Sequence, residues 1–314
     1  MSVSVMRGGL EESRHQVHVA VVDADGALVA SAGDPDRLTT LRSTAKPFQL
    51  QPLIEAGGAD GWDDELVAVC CSSHLGLDMH LPPLRRGFAA ARLDPDLLRN
   101  SSGDVETRLR HDCSGNHLGF LALSKLRGWP LEGYREPGHP SQAAALEAVS
   151  RHSRVAAADI PTCRDGCGVV CFALPLQTAA ALFARLPAEL PRQAAAMRAC
   201  PEMVRGPGEL DTELMRYIPG AVSKVGAEAL HCLALPEQGL GVAVRIDDGG
   251  FRALDPAAAD VVRQLLGDGG FPGQLVPFLS PPVLDSNEMA VGELRSNVRL
   301  TGRSASGMAR ADRA

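Results

Sequence analysis

Arg42-Ser43-Thr44-Ala45-Lys46-Pro47-Phe48-Gln49, RSTAKPFQ, sets a serine three residues ahead of a lysine and a proline directly after it. The chain uses lysine only three times, at Lys46, Lys125 and Lys224, among 31 basic residues, so lysine here asks for a reason. Proline lacks an amide proton and clashes with the preceding turn deep in a helix, but the first turn tolerates it. Ser43 is thereby placed at a helix start. The helix is expected from Thr44 to about Ala56, on the apolar positions Phe48, Leu50, Leu53 and Ile54, and ends at Gly57-Gly58. Free amides at a helix start favour negative charge, and Lys46 one turn on can aim its amine at the serine. An amine neutralised by burial or neighbouring charge can take a serine proton, and a guanidinium cannot. The competing reading is a helix N-cap followed by a solvated lysine.

On the N-terminal side, His18–Ala32 reads as a hairpin turning at Asp23-Ala-Asp-Gly26. On the C-terminal side, Leu66–Ser72 fits a strand or a buried helix equally well. Helices are expected over about Met79–Leu93, Ser114–Leu126 with Ser114 as N-cap, Ser141–Arg154, Leu176–Leu186, Pro191–Val204 and Pro256–Leu266. Strands are expected near Gly168–Ala173, Ala229–Leu235 and Leu240–Ile246, and a proline-rich tail closes the chain. Hairpins mixed with helices, without regular βαβ alternation, indicate an α/β (α+β) fold in which an antiparallel sheet is flanked by helices.

At 314 residues, 45% apolar and 22% charged, the chain has the composition of a folded globular protein. A net charge of −7 argues against nonspecific nucleic-acid binding, which needs a basic face. The N-terminus shows no apolar leader core, and Val169–Leu186 is interrupted by Pro175 and Gln177. The expectation is a cytoplasmic protein without membrane association. The eight cysteines are then reduced thiols serving as core residues or ligands.

Two further segments bear on RSTAKPFQ. Cys71-Ser72-Ser73-His74-Leu75-Gly76 puts a serine pair before a glycine turn, and Ser223-Lys224-Val225-Gly226 holds a second lysine. Together they allow a site with two serine–lysine pairs, although a loop serine and a surface lysine are the simpler readings of each alone. A thiol constellation lies in His111-Asp112-Cys113-Ser114-Gly115-Asn116-His117 and Asp165-Gly166-Cys167-Gly168. Two thiolates with a histidine, carboxylate or water would suit zinc, and Cys113 near a helix start would equally suit a nucleophilic thiol.

Taken in order, RSTAKPFQ, CSSHLG, HDCSGNH, DGCG and SKVGAEA resemble the asparaginase II family, the Rhizobium etli type of L-asparaginase, over about Glu12 to Asn297. The resemblance implies a single catalytic domain over residues 1–314, with a helical subregion near 75–160 and a fold like that of serine β-lactamases and serine-dependent glutaminases. It also implies hydrolysis of L-asparagine to L-aspartate and ammonia by a homodimer. Ser43 would be the nucleophile and Lys46 its base, with Ser73 and Lys224 as the second pair. Arg42, His74, Asn116, His117 and Asp165 would bind substrate, Asp165 through its α-amino group. Zinc would sit on Cys113 and Cys167, with no organic cofactor; Asn116 stands where the family pattern has a lysine ligand. The alternatives are a related serine amidohydrolase acting on glutamine or a β-lactam, an amide- or metal-binding homologue with weakened catalysis, and thiol hydrolysis at Cys113.

Overall fold

The computed structural model describes residues 1–302. The described chain divides into two compact units, one of Met1–Thr39, Pro175–Ala184 and residues 227–302, the other of Thr40–Leu174 and Arg185–Gly226.

The first unit is built on an antiparallel sheet. Its strands run Pro282–Leu284, Ala290–Ser296, Ser2–Arg7, Leu10–Asp23, Leu240–Ile246 and Leu230–Leu235 in neighbouring order. Leu10–Asp23 is long enough for its first half to pair with Ser2–Arg7 and its second with Leu28–Ala32. The hairpin at Asp23–Gly26 is as expected: the Asp23 carboxylate accepts the Ala27 amide at 2.9 Å and closes the turn. The C-terminal stretch is not the expected tail. Pro282–Leu284 and Ala290–Ser296 form a hairpin that pairs with Ser2–Arg7. Pro282 opens the outermost strand of this order, where a missing amide donor costs least. The helix Leu254–Leu266 packs on the sheet through Leu254, Ala257, Ala258, Val261 and Val262, an i, i+3, i+4, i+7, i+8 stripe. It begins two residues before the expected Pro256, which the first turn accommodates. The α/β arrangement of an antiparallel sheet with helices against it is therefore present.

The second unit is mostly helical. A 3-10 turn, Arg42–Ala45, leads into α1 (Lys46–Glu55), with Pro47 in the first turn. The ambiguous apolar run is α2 (Asp64–Cys70), decided by a signal outside the run: Asp63 caps it by accepting the Leu66 amide at 2.9 Å. Then come α3 (Leu81–Ala90), α4 (Val105–Arg110), α5 (Ser114–Leu126) and α6 (Pro140–Ser153). The hairpin Thr162–Arg164 with Val170–Pro175 follows. The expected helix Pro191–Val204 is two, Pro191–Ala199 and Pro201–Val204, because Pro201 cannot continue the first. Leu210–Tyr217 and the strand Val222–Gly226 complete the unit, the helix in a stretch where none was expected.

Residue 115 decides how close α5 comes to α2. A Cβ there would lie 2.1 Å from the Val69 carbonyl oxygen, so only glycine lets the start of α5 rest on the end of α2. That contact carries Cys113 to the serines that follow α2.

Candidate active site

Lys46, the first residue of α1, is fully buried. Its Nζ donates to the Ser72 carbonyl at 2.6 Å, Ser73 Oγ at 3.1 Å, the Asp112 carbonyl at 3.2 Å and Cys113 Sγ at 3.3 Å. Ser43 is not among these acceptors. Burial alone would strip the charge from this amine, but Cys113, Asp112 and Cys167 outweigh burial and raise its pKa. Lys46 is an ammonium.

Lys224, in the strand Val222–Gly226, is equally buried and donates to the same Ser73 Oγ at 2.9 Å and to the Val225 carbonyl at 2.6 Å. Here burial wins: the pKa falls to about 7, with Asp211 resisting and Lys46 and Arg205 assisting. Ser73 Oγ therefore lies between an amine that keeps its proton and one that gives it up near neutrality. The backbone holds the serine in place, since the Ser73 amide donates to the Val204 carbonyl at 3.0 Å and the Ser73 carbonyl accepts from Arg205 at 3.0 Å. Asp211 fixes the strand by accepting from Ser223 Oγ at 2.6 Å and the Val225 amide at 2.8 Å.

Ser43 follows a strained residue. Arg42 has φ +47°, uncommon for a side-chain-bearing residue. Its guanidinium forms a two-point pair with Asp165, Nε to Oδ2 at 3.0 Å and Nη2 to Oδ1 at 3.0 Å. A fork of this kind is among the more directional ion pairs. Two expected substrate-binding residues are thus joined to each other, and Ser43 follows directly in the chain.

The structure brings Cys113 and Cys167 together. The hydrogen bond from Cys167, opposed by burial and reinforced by Lys46 and His111, lowers the Cys113 pKa to about 5. That hydrogen bond and burial raise the pKa of Cys167. The pair is a thiolate with a thiol beside it. Asp112 is held ionised against its burial by His111 and Lys46. The His111 pKa rises to about 9, first through Asp112 at 3.0 Å and then through Cys113. Gly168, at φ +93°, supplies the left-handed turn just after Cys167.

α5 begins at Ser114 itself, so Cys113 rather than Ser114 holds the N-cap position, without a side-chain cap, and the Ser114 hydroxyl pairs with His74 Nε2 at 2.9 Å. His74 also accepts the Gly76 amide at Nδ1, so both ring nitrogens are used; burial, first of all, keeps the ring neutral. Asn116 donates through Nδ2 to Gln49 Oε1 at 3.0 Å, and its Oδ1 is buried without a partner. His117 Nδ1 lies 2.6 Å from the Tyr134 hydroxyl, and its Nε2 is likewise buried without a partner. Cys113, Asn116 and His117 share one face of α5 by their i, i+3, i+4 spacing. Unsatisfied buried polar atoms cost about 1–3 kcal/mol each, and two lie on this face.

The donor chemistry also fits zinc, which the resemblance implies. Two cysteine sulfurs are in contact, and His111, Asp112 and Cys113 bring one donor atom each within 4.8 Å of one another. Asn116 has no amine to offer in place of a lysine ligand, and its Nδ2 donates to Gln49.

All the candidate site residues lie in the helical unit. Sequence reasoning passed over Gln49, Tyr134, Arg205 and Asp211. Gln49 was visible as the residue one helical turn after Lys46; the other three carried no local signal.

The model of the L-asparaginase II family matches residues 3–296. No curated protein matches the chain. Among solved structures, a β-lactamase from Mycobacterium bovis is similar over 79% of this chain and 93% of its own, at 15% identity and a TM-score of 0.39. No helix among the described residues is long and apolar enough to cross a membrane.

Proposed function

Because the chain belongs to the L-asparaginase II family, we propose that it is an amidohydrolase that converts L-asparagine to L-aspartate and ammonia by serine acyl transfer. The observation that carries the mechanism is Ser73 Oγ held between Lys224 at 2.9 Å and Lys46 at 3.1 Å, with the Lys224 pKa near 7. Lys224 is the base in this reading and Lys46 the fixed cation that stabilises the oxygen left behind.

Ser43 attacks the side-chain carboxamide, and its proton passes by way of Ser73 to Lys224. The tetrahedral intermediate collapses as Lys224 returns the proton to the departing nitrogen, releasing ammonia. Water then repeats the sequence on the acyl-enzyme, giving its proton to Lys224 and freeing aspartate and the serine. The backbone amide of Ser43, at the Arg42–Ala45 turn, would stabilise the oxyanion. The Arg42–Asp165 pair offers a cation and an anion for the α-carboxylate and α-ammonium of an amino acid, and the unpaired Asn116 Oδ1 offers an acceptor. Zinc bound at Cys113 and Cys167 would supply Lewis-acid polarisation beside the substrate.

A second reading, favoured by the direct Lys224–Ser73 hydrogen bond, makes Ser73 the nucleophile. The test is ammonia release from asparagine, glutamine and, by its own absorbance change, a chromogenic β-lactam. Asparagine is expected to turn over fastest; no ammonia from asparagine would overturn the reading. Mass mapping of the trapped acyl adduct assigns the nucleophile: an adduct on Ser43 supports the first reading, and one on Ser73 replaces it with the second.

A further inference from the structure

We propose that Arg135 selects the substrate by receiving the α-carboxylate of an amino-acid amide, leaving Arg42 to orient Asp165 towards the α-ammonium. The proposal rests on the amidohydrolase reading and deepens it, since it says which amides the site favours. The observation is the way two guanidiniums meet the turn Asp165-Gly166-Cys167-Gly168. A Cβ on Gly166 would lie 3.6 Å from Arg42 Nη2, and one on Gly168 would lie 2.5 Å from Arg135 Nη1 and 3.2 Å from its Cζ. A side chain at 168 would push the Arg135 head away, so this glycine does more than allow φ +93°. Arg135 Nη1 also donates to the Cys167 carbonyl at 3.4 Å.

The arginine is delivered there by a segment that is tied down. Buried Tyr134 offers its carbonyl to Ser141 Oγ at 3.2 Å and Gln142 Nε2 at 2.8 Å, and its hydroxyl accepts the Arg99 amide at 3.0 Å. Gln142 Oε1 accepts the Val170 amide at 3.0 Å, so one buried side chain joins the Arg135 segment to the strand that follows the turn. The cations around the site differ in what balances them. Arg42 is matched by Asp165 through two hydrogen bonds, and Lys46 faces Cys113 and Asp112. Arg135 is half-buried, and its guanidinium meets no carboxylate among the described residues. The carboxylate next to it in the chain, Glu136, is paired with Arg164. An unmatched guanidinium presents the planar fork that fits a carboxylate at two points. An anion, Asp165, opens this four-residue turn and a cation, Arg135, rests on its last residue, which supplies both charges that the α-carbon of an amino acid calls for.

The experiment compares ammonia release from two amides: L-asparagine, and β-alaninamide, which is the same molecule without its α-carboxylate. Wild-type protein should prefer asparagine in kcat/KM. Arg135→Met, checked for folding by circular dichroism, should lower that preference about fiftyfold, within the range for a lost hydrogen bond to a charged group. The loss should fall on KM, because a carboxylate remote from the bond that breaks is held alike in ground and transition states. Arg135→Lys keeps the cation without the fork and should recover part of the preference. An unchanged preference in Arg135→Met overturns the proposal. So does an equal loss on both amides, which would mark a purely structural contact with Gly168. If Arg135→Met fails to fold, Arg135→Gln, which can still donate to the Cys167 carbonyl, carries the same expectation and the same refutation. Wild-type turnover of asparagine with unaltered preference in the variant refutes this inference alone, whereas wild-type protein that releases no ammonia from asparagine overturns the function reading and this inference with it.

Discussion

The surroundings of Lys46 and Lys224 differ in one respect that matters. Both amines are buried, and both donate to the same hydroxyl, Ser73 Oγ. Lys46 is ringed by Cys113, Asp112 and two backbone carbonyls, and its charge is stabilised. Lys224 has Asp211 and, more weakly, Asp112 acting in its favour, and Asp211 is spent largely on Ser223 and the Val225 amide. Burial therefore prevails in one place and not in the other. In the proposed mechanism two identical side chains on one oxygen take opposite tasks, one to hold charge and one to move a proton.

The sharpest way to break this comparison is to exchange each lysine for a residue that keeps charge but cannot lose a proton. Lys224→Arg should lower kcat/KM for asparagine by about 10³-fold, within the range for losing a general base. Lys46→Arg retains the cation and should cost about tenfold, mostly through misplaced hydrogen bonds. Steady-state kinetics on both variants decide it. A larger loss in Lys46→Arg would reverse the assignment and restore Lys46 as the base suggested by the RSTAKPFQ spacing.

A smaller effect separates the two lysines by pH. If Lys224 must be neutral to act, kcat/KM rises with pH through about 7 and levels above it. Asp211 favours the charged form, so Asp211→Asn removes that support, lowers the Lys224 pKa further and moves the acid limb to lower pH. A pH–rate profile of wild type and variant checks the sign; a limb that stays in place or moves up would detach Lys224 from the proton transfer.

The contrast also shows what a sequence can carry. The choice of lysine over arginine at Lys46 and Lys224, and Pro47 after the first, marked both amines and the helix start. The two cysteines met because glycines at 115 and 168 permit it, and such glycines are visible in the chain. Which buried amine is held charged and which is shifted towards neutrality was not legible. That depends on the balance of burial against Cys113, Asp112 and Asp211, residues up to 67 positions away from the first amine and 13 from the second. The strand hairpin at Pro282–Ser296 was hidden for a different reason. Its pairing partner is Ser2–Arg7, at the other end of the chain, and its prolines imitate a loop. Local pattern reads what a residue's neighbours in sequence decide, and the electrostatics of a buried site is decided by neighbours in space.

Gln49 offers the finest test of the same division of labour, because it lies one turn from Lys46 yet makes no hydrogen bond to Ser73 Oγ, the hydroxyl the two lysines share. Its Oε1 accepts from Asn116 Nδ2 at 3.0 Å, which leaves Asn116 Oδ1 as the unpaired end of the amide. Replacing it by leucine keeps similar bulk but removes the acceptor that orients Asn116, so the amide can turn its nitrogen where its oxygen was. If that oxygen receives a substrate N–H, the loss falls on binding. Gln49→Leu should then raise KM for asparagine about fivefold, on the order of 1 kcal/mol, with kcat within twofold and the acid limb still near pH 7. Asn116→Asp, which restores an acceptor whichever way it turns, should recover most of the KM when combined with Gln49→Leu. A fall in kcat with KM unchanged would instead tie Gln49 to the charge balance around Lys46, and the boundary between the two lysine environments would have to be redrawn to include it.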